Sequence, residues 1–328
     1  MTEQQVQTLK EHDYILEQKI GQGNFAKVYL VTSERYREKF VCKMIENPQL
    51  IDEDEIKLLC NLDSSYIISM YDYFKDAQNL YIILEYCPGG SVQDILDHQG
   101  PLDIHTLFEY TKQTLFGLQH CHLFNIAHED IKPANILLNR NNRAKLADFG
   151  LSQCLNKGEL RNRFSGSRAF IAPEILKGNH YDPFKADVWA LGITCFMMAT
   201  GMFPWPLTSA HELFAAIEKC DLSILDNIDA EYANVIKMML VPDPNRRATV
   251  NEILGLPIFQ EHKSNSEHIR SIKSFSSVRV LCSHFSSNPI VPFHRMQVKA
   301  GKKRPGSLLK HSGSTAILTP IIEKPKYF

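Results

Sequence analysis

No run of 18 apolar residues occurs anywhere in the 328-residue sequence. The longest apolar-rich segment, "VWALGITCFMMAT" at 188–200, is too short to cross a bilayer and reads as a buried helix. The N-terminus "MTEQQVQTLKEHD" is polar and acidic, which is not the pattern of a signal peptide. The eight cysteines contain no CxxC pair and form no dense framework. Free thiols in a reducing compartment, cytoplasmic or nuclear, are the expectation. "HCH" at 120–122 argues little for a metal, because neighbours on a helix do not face one another. No internal repeat is evident, and the net charge is only −1.

That near-neutrality hides an asymmetry. Lys263 to Phe328 contains 12 Lys and Arg against 2 acids, which leaves 24 against 35 in residues 1–262. A body of net charge −11 therefore carries a tail of +10. The tail reads either as a solvated, disordered extension or as a segment that touches the acidic body or an anionic partner.

The periodicity changes along the chain. Residues 14–45 alternate apolar and polar around a Gly-rich turn and read as three antiparallel strands. Residues 47–62 read as a helix, with Asn47 as N-cap and Pro48 at its first position. "IISMYDYF" and "LYIILEY" are two more strands. After "PGG" at 88–90, helical patterns dominate: 106–124, the segment around Trp189, and 210–220. The expectation is an α+β chain with an extension at 1–13, a small β-rich lobe at 14–87, a larger helical lobe at 88–259 and a basic tail at 260–328.

Charged residues then fall in a particular order. "GQGNFAKV" at 21–28 sits between strands, where glycines let backbone amides approach phosphate oxygens. A GxG in a hairpin is more often just a tight turn, and the strand that follows disfavours a dinucleotide-binding unit. Lys43 lies on the next strand, able to reach phosphates while paired to a carboxylate on the helix that follows. Glu55 is the candidate partner. "HEDIKPANIL" at 128–137 crowds a histidine, two acids, a lysine and an asparagine beside an apolar run. Asp130 can accept or orient a proton from an attacking hydroxyl, and Lys132 can neutralise a transferring phosphoryl group. Asn135 offers a neutral oxygen to a hard cation. Thirteen residues further, Asp148 in "ADFG" is a second metal ligand. A single loop carboxylate is usually only solvated. The order of the signals is what chance does not assemble.

With these residues the sequence resembles the eukaryotic protein kinases over roughly 14–259, and "APE" (172–174), "DVWALG" (187–192) and "DPNRRAT" (243–249) agree. The resemblance implies a bilobal fold, ATP and Mg2+ as cofactors, and protein substrates rather than nucleic acid as partners. It implies Lys43 and Glu55 as an ion pair that positions ATP, Asp130 as catalytic base, and Asn135 and Asp148 as magnesium ligands. The nucleotide would lie against Ile20, Gly21, Gly23, Ala26, Val28, Val41 and Leu137. The hinge would run Glu85-Tyr86-Cys87 behind a gatekeeper Leu84. Leu59, Met70, His128 and Phe149 would stack as a spine, Glu174 would pair with Arg247, and Asp187 would anchor the central helix. Lys132 after the catalytic Asp, and Ser167 in "SGSRAFIAPE" with Ser165 nearby, resemble the Ser/Thr class. The closest likeness within it is to the calcium/calmodulin-dependent and AMP-activated group. A catalytically inactive scaffold of kinase shape is the opposing reading.

Three departures stand out. Ala26 replaces the usual third loop glycine. Lys43 to Glu55 is only 12 residues, which makes Glu53 a fallback partner. Glu129 stands where most kinases have an Arg that binds a phosphate on the activation loop, and an acid there repels phosphate. Glu129 either pairs with Arg161 or Arg163 and orders the loop without phosphorylation, or is solvated. In the tail, Arg304 three residues before Ser307 resembles a basophilic site, yet the acids such kinases use are replaced by Ser91 and Ala134. "KKR" as a nuclear signal and 269–281 as a calmodulin-like target are weaker readings of the same tail.

Overall fold

The computed structural model describes residues 1–23, 26–46, 62–149, 153–154, 159–161, 166–178, 180–205, 210–220, 222, 225 and 228–260, all within the unit Met1–Phe285. The helix expected at 47–62, with Glu53, Glu55 and Leu59, lies outside the described residues. So do Arg163, Ser165, Ser307 and the whole tail from 261.

Residues 1–13, expected as an extension, fold as a helix, α1 (Glu3–Glu11). Thr2 and Gln5 form a reciprocal capping box, with Gln5 Oε1 accepting from Thr2 N at 2.9 Å. Only Leu9 is fully buried along it. One apolar anchor leaves no periodic stripe to read, which is why the polar sequence conceals the helix. The helix exit is clamped where His12 stacks on Phe74, ring centroids 3.7 Å apart.

Strands β1 (Tyr14–Gln22), β2 (Ala26–Ser33), β3 (Lys39–Glu46), β4 (Met70–Lys75) and β5 (Asn79–Glu85) form one antiparallel sheet in the order β1-β2-β3-β5-β4. Alternation on β3 sorts its side chains. Phe40, Cys42 and Met44 are buried with Tyr14, Tyr29, Phe74 and Tyr81, while Val41, Lys43 and Ile45 take the opposite face. The register places Val28 opposite Lys43 and Val41 opposite Leu84. The strand expected from Ile67 begins at Met70 instead. Ile67 is bridged to Leu146, and Ile68 N donates to Leu146 O at 2.9 Å, so this stretch belongs to the large lobe's edge.

The large lobe follows with α2 (Val92–Gln99), α3 (Ile104–Leu123), β6 (Ile126–Ala127), β7 (Ile136–Leu138), β8 (Ala144–Leu146), β9 (Gln153–Cys154), α4 (Pro173–Leu176) and α5 (Pro183–Thr200). Among the described residues four further α-helices follow: α6 (Ala210–Lys219), α7 (Ala230–Met239), α8 (Val250–Leu254) and α9 (Pro257–Gln260). α5 starts at an Asp182 cap with Pro183 in its first turn and stops at Gly201 in the left-handed region. It is buried along most of its length, as its apolar run requires. Gly192 permits the α5–α7 approach, since a Cβ there would stand 2.8 Å from Met239 and Leu240 side chains. β7 pairs with β8 and β6 with β9, which brings the loops after β6 and β8 to one edge of the lobe.

Candidate active site

Asp187, 1% exposed in α5, organises the loop after β6. Its Oδ2 accepts from His128 N at 2.8 Å and from His122 Nε2 at 3.0 Å, and its Oδ1 accepts from Glu129 N at 2.8 Å. Those bonds hold Glu129 at φ 63°, a left-handed conformation that costs a non-glycine residue and needs such support. His128 is fully buried, and burial lowers its pKa. Its partners fix the neutral tautomer: Nε2 donates to Ala147 O at 3.0 Å while Nδ1 accepts from Asp130 N at 3.3 Å. One ring thus ties the Asp130 backbone to the residue before Asp148.

Four donors converge on the Asp130 carboxylate. Ser167 gives its hydroxyl at 2.8 Å and its backbone N–H at 3.1 Å to Oδ1. Lys132 Nζ at 2.8 Å and Asn135 Nδ2 at 3.0 Å donate to Oδ2. Lys132 Nζ also donates to Ser167 Oγ at 2.8 Å, closing a ring of three side chains. Asn135 spends a second N–H on Asp130 O at 2.7 Å, which leaves its amide oxygen as the free donor atom. Ala147 N donates to Asn135 O at 2.9 Å and brings Asp148 alongside. Lys43 Nζ pairs with Asp148 Oδ1 across the cleft. Asp148 is therefore the carboxylate found on Lys43 among the described residues.

The apolar wall has the expected members. Leu84 and Leu137 pack with Ile68, Cys87 and Ala147, and Val28 and Val41 are half-buried on the sheet's cleft face. Ile20 is 44% exposed at the mouth, and Gly21 pairs in register with Val28. Gly23 N closes the turn onto Ala26 O at 2.8 Å. His128 and Phe149 rings stand 4.8 Å apart, and Phe149 packs against Leu62 and Ile67. Glu85, at the start of the hinge, makes an ion pair with Lys145 that the motifs do not announce.

Below the site, Arg161 N and O exchange 2.9 Å bonds with Tyr181, which places the Arg161 Nε 3.3 Å from Glu129 Oε1. Glu129 is 2% exposed in its side chain, and neither of its carboxylate oxygens accepts a hydrogen bond from the described residues. Burial pushes its pKa up to about 7, with Arg161 pulling the other way and Asp187 adding to the rise. The solvated alternative for Glu129 is excluded by this burial. Further down, Arg247 is 0% exposed and binds Glu174 through both terminal nitrogens, at 2.7 and 2.8 Å. That bidentate pair fixes the end of the activation segment to the body of the lobe.

A family model described as the protein kinase domain matches residues 14–259. The chain is 32% identical over 271 residues to 3-phosphoinositide-dependent protein kinase B of Dictyostelium discoideum, covering 79% of this chain and 29% of that protein. It is 30% identical over 275 residues to the serine/threonine-protein kinase SIK3 homolog of Danio rerio, covering 81% and 23%. It is 32% identical over 241 residues to serine/threonine-protein kinase kin-29 of Caenorhabditis elegans, covering 72% and 29%. The chain thus spans under a third of the length of these relatives. Since the family match covers three quarters of its residues and coincides with the two lobes just described, the chain belongs to the protein kinase family.

Proposed function

We propose that the chain is an active protein serine/threonine kinase, which transfers the γ-phosphoryl group of ATP to Ser or Thr hydroxyls of protein substrates. The observation that carries this reading is the Asp130–Lys132–Ser167 ring. It sets a carboxylate, an ammonium and a hydroxyl at 2.8 Å from one another at the mouth of the cleft.

The residues present fit the nucleotide and its metal. The Asn135 amide oxygen and the Asp148 carboxylate are one neutral and one anionic oxygen donor, the set a magnesium ion takes. Val28, Val41 and Leu137 offer apolar surface to a base. Bound Mg-ATP supplies the transferable phosphoryl group with part of its charge neutralised. The chain supplies position and electrostatics. Asp130 accepts the proton of the incoming hydroxyl and orients its lone pair. Lys132 sits beside that oxygen and stabilises charge as it moves. Lys43 holds Asp148 in place and stands ready for phosphate oxygens. Ser167 positions Asp130 through two donors, so the activation segment must be seated for the base to be aimed.

Glu129 supports a second element of the proposal, namely that the activation segment is seated without the usual arginine–phosphate clamp. A buried carboxyl within 3.3 Å of Arg161 takes the place of that clamp. Transfer of label from ATP with magnesium to a Ser/Thr peptide library, compared between wild type and Asp148→Asn, tests the function. Transfer that disappears in the variant is expected. Nucleotide binding without transfer in the wild type would refute activity and identify a scaffold.

A further inference from the structure

Strand β8 carries a charged residue to which the kinase motifs give no role. Lys145 is 8% exposed in its side chain, and its Nζ donates to Glu85 Oε2 at 2.6 Å and to Ile67 O at 3.2 Å. Glu85, 19% exposed, also accepts from Ser69 N at 3.3 Å, and its own N–H donates to Ser69 O at 2.9 Å. The same stretch is laced to β8 by backbone bonds from Ile68 N to Leu146 O and from Leu146 N to Tyr66 O, each 2.9 Å. Three segments therefore meet at one ammonium: the stretch before β4, the start of the hinge, and β8.

Each of those segments leads to a part of the nucleotide site. Glu85 closes the β3–β5 ladder opposite Phe40, so its anchoring sets where the hinge begins. Lys145 lies opposite Leu137 in register, the residue that faces the base from the large lobe. Three positions beyond Lys145 is Asp148. An exposed pair of this kind contributes little. A desolvated pair behaves differently, because removing one partner leaves the other buried without compensation.

We propose that Lys145 is a positioning residue for nucleotide binding. It acts through Glu85 to fix the spacing between the hinge backbone and the strand that delivers Asp148. The proposal rests on the kinase reading above and adds a residue to it. A site that must hold a base at one end and phosphates at the other is sensitive to that spacing, and the ion pair spans the junction where it is set.

The test is a set of four variants of the full chain, Lys145→Met, Lys145→Arg, Glu85→Gln and the Lys145→Met/Glu85→Gln double, read by ADP–magnesium calorimetry, ATP KM and kcat, and melting temperature. Lys145→Met is expected to weaken ADP binding and raise ATP KM about tenfold, while kcat changes by less than about threefold. Lys145→Arg is expected to recover most of the loss. The double variant is expected to bind no more weakly than Lys145→Met alone, the non-additivity of one shared interaction. Should Lys145→Met fail to fold, Glu85→Gln keeps the shape and removes one charge, and an ATP KM raised about threefold carries the same conclusion. ADP affinity within twofold of wild type in Lys145→Met, losses that add in the double, or a rise in kcat in place of the KM effect would each overturn the proposal. A wild type that binds no ADP overturns the kinase reading itself, which is a distinct result.

Discussion

Removing the carboxylate of Glu174 should expose what a fully buried guanidinium costs when it loses its counter-charge. Arg247 has no exposed side-chain surface, and both of its terminal nitrogens donate to Glu174, at 2.7 and 2.8 Å. Its other donors are already committed. Nε bonds Val241 O at 3.0 Å, and one terminal nitrogen also bonds Lys185 O at 2.7 Å, so the side chain cannot swing out to water without breaking these as well. Glu174→Ala therefore leaves a trapped cation, for which the expected loss is about 3–5 kcal/mol. In a domain of this size that lowers the melting temperature by roughly 6–20 °C. A second substitution separates charge from packing. Arg247→Met in the Glu174→Ala background removes the stranded cation, and it should return part of the stability. The return is partial because the Val241 and Lys185 carbonyls lose their donor. Thermal melts of the wild type and the two variants decide the matter. A double variant no more stable than Glu174→Ala, or a single-variant shift under about 2 °C, would refute the trapped-charge reasoning.

Asp130→Asn should lower kcat by about a hundredfold to ten-thousandfold, the range for loss of a general base, with ADP affinity kept; calorimetry beside steady-state kinetics checks both. The Glu129 carboxyl is held up at about 7 against an ordinary 4.5, so between those values the folded chain keeps a proton that the unfolded chain has released. Its contribution is full below about pH 4.5 and is lost as pH rises to about 7. Relative to Glu129→Gln, wild-type stability should fall by about 3 kcal/mol across that window, read from urea midpoints, and parallel profiles would rule this out. Glu129→Arg places a cation against Arg161 and should lower basal activity, so unchanged or higher activity in the peptide assay would sink the seating role proposed for Glu129.

How much of this was legible in the sequence depends on the distance over which each signal acts. The β3 alternation and the unbroken apolar run of α5 are local, and both elements form where their periods place them. Asp130, Lys132 and Asn135 lie within six positions, so their grouping is visible in one short stretch, although Asp187 and Ser167, which hold that loop, come from distant segments. Glu85 and Lys145 are 60 residues apart, and each by itself resembles an ordinary solvated strand residue. Their meeting depends on how the hinge packs against β8. The same holds for the contact of Lys43 with Asp148, 105 residues away, while the partner the sequence points to, Glu55, lies outside the described residues. α1 was illegible for another reason, since a helix docked through one leucine and one stacked histidine leaves no pattern to find.

The two tryptophans of the chain have an optical consequence. Trp189 and Trp205 stack with ring centroids 5.6 Å apart, and the Arg247 guanidinium lies 5.1 Å over the Trp189 ring. Both indoles belong to the large lobe, and the small lobe and the basic tail contain none. Indole fluorescence therefore watches half of the molecule. Loosening of the β-sheet is dark to it, whereas disturbance beneath the activation segment acts directly on the stacked pair. A melt followed by indole emission and one followed by far-ultraviolet dichroism will coincide only if the two lobes unfold together, so the native chain already carries the probe that distinguishes one cooperative unit from two.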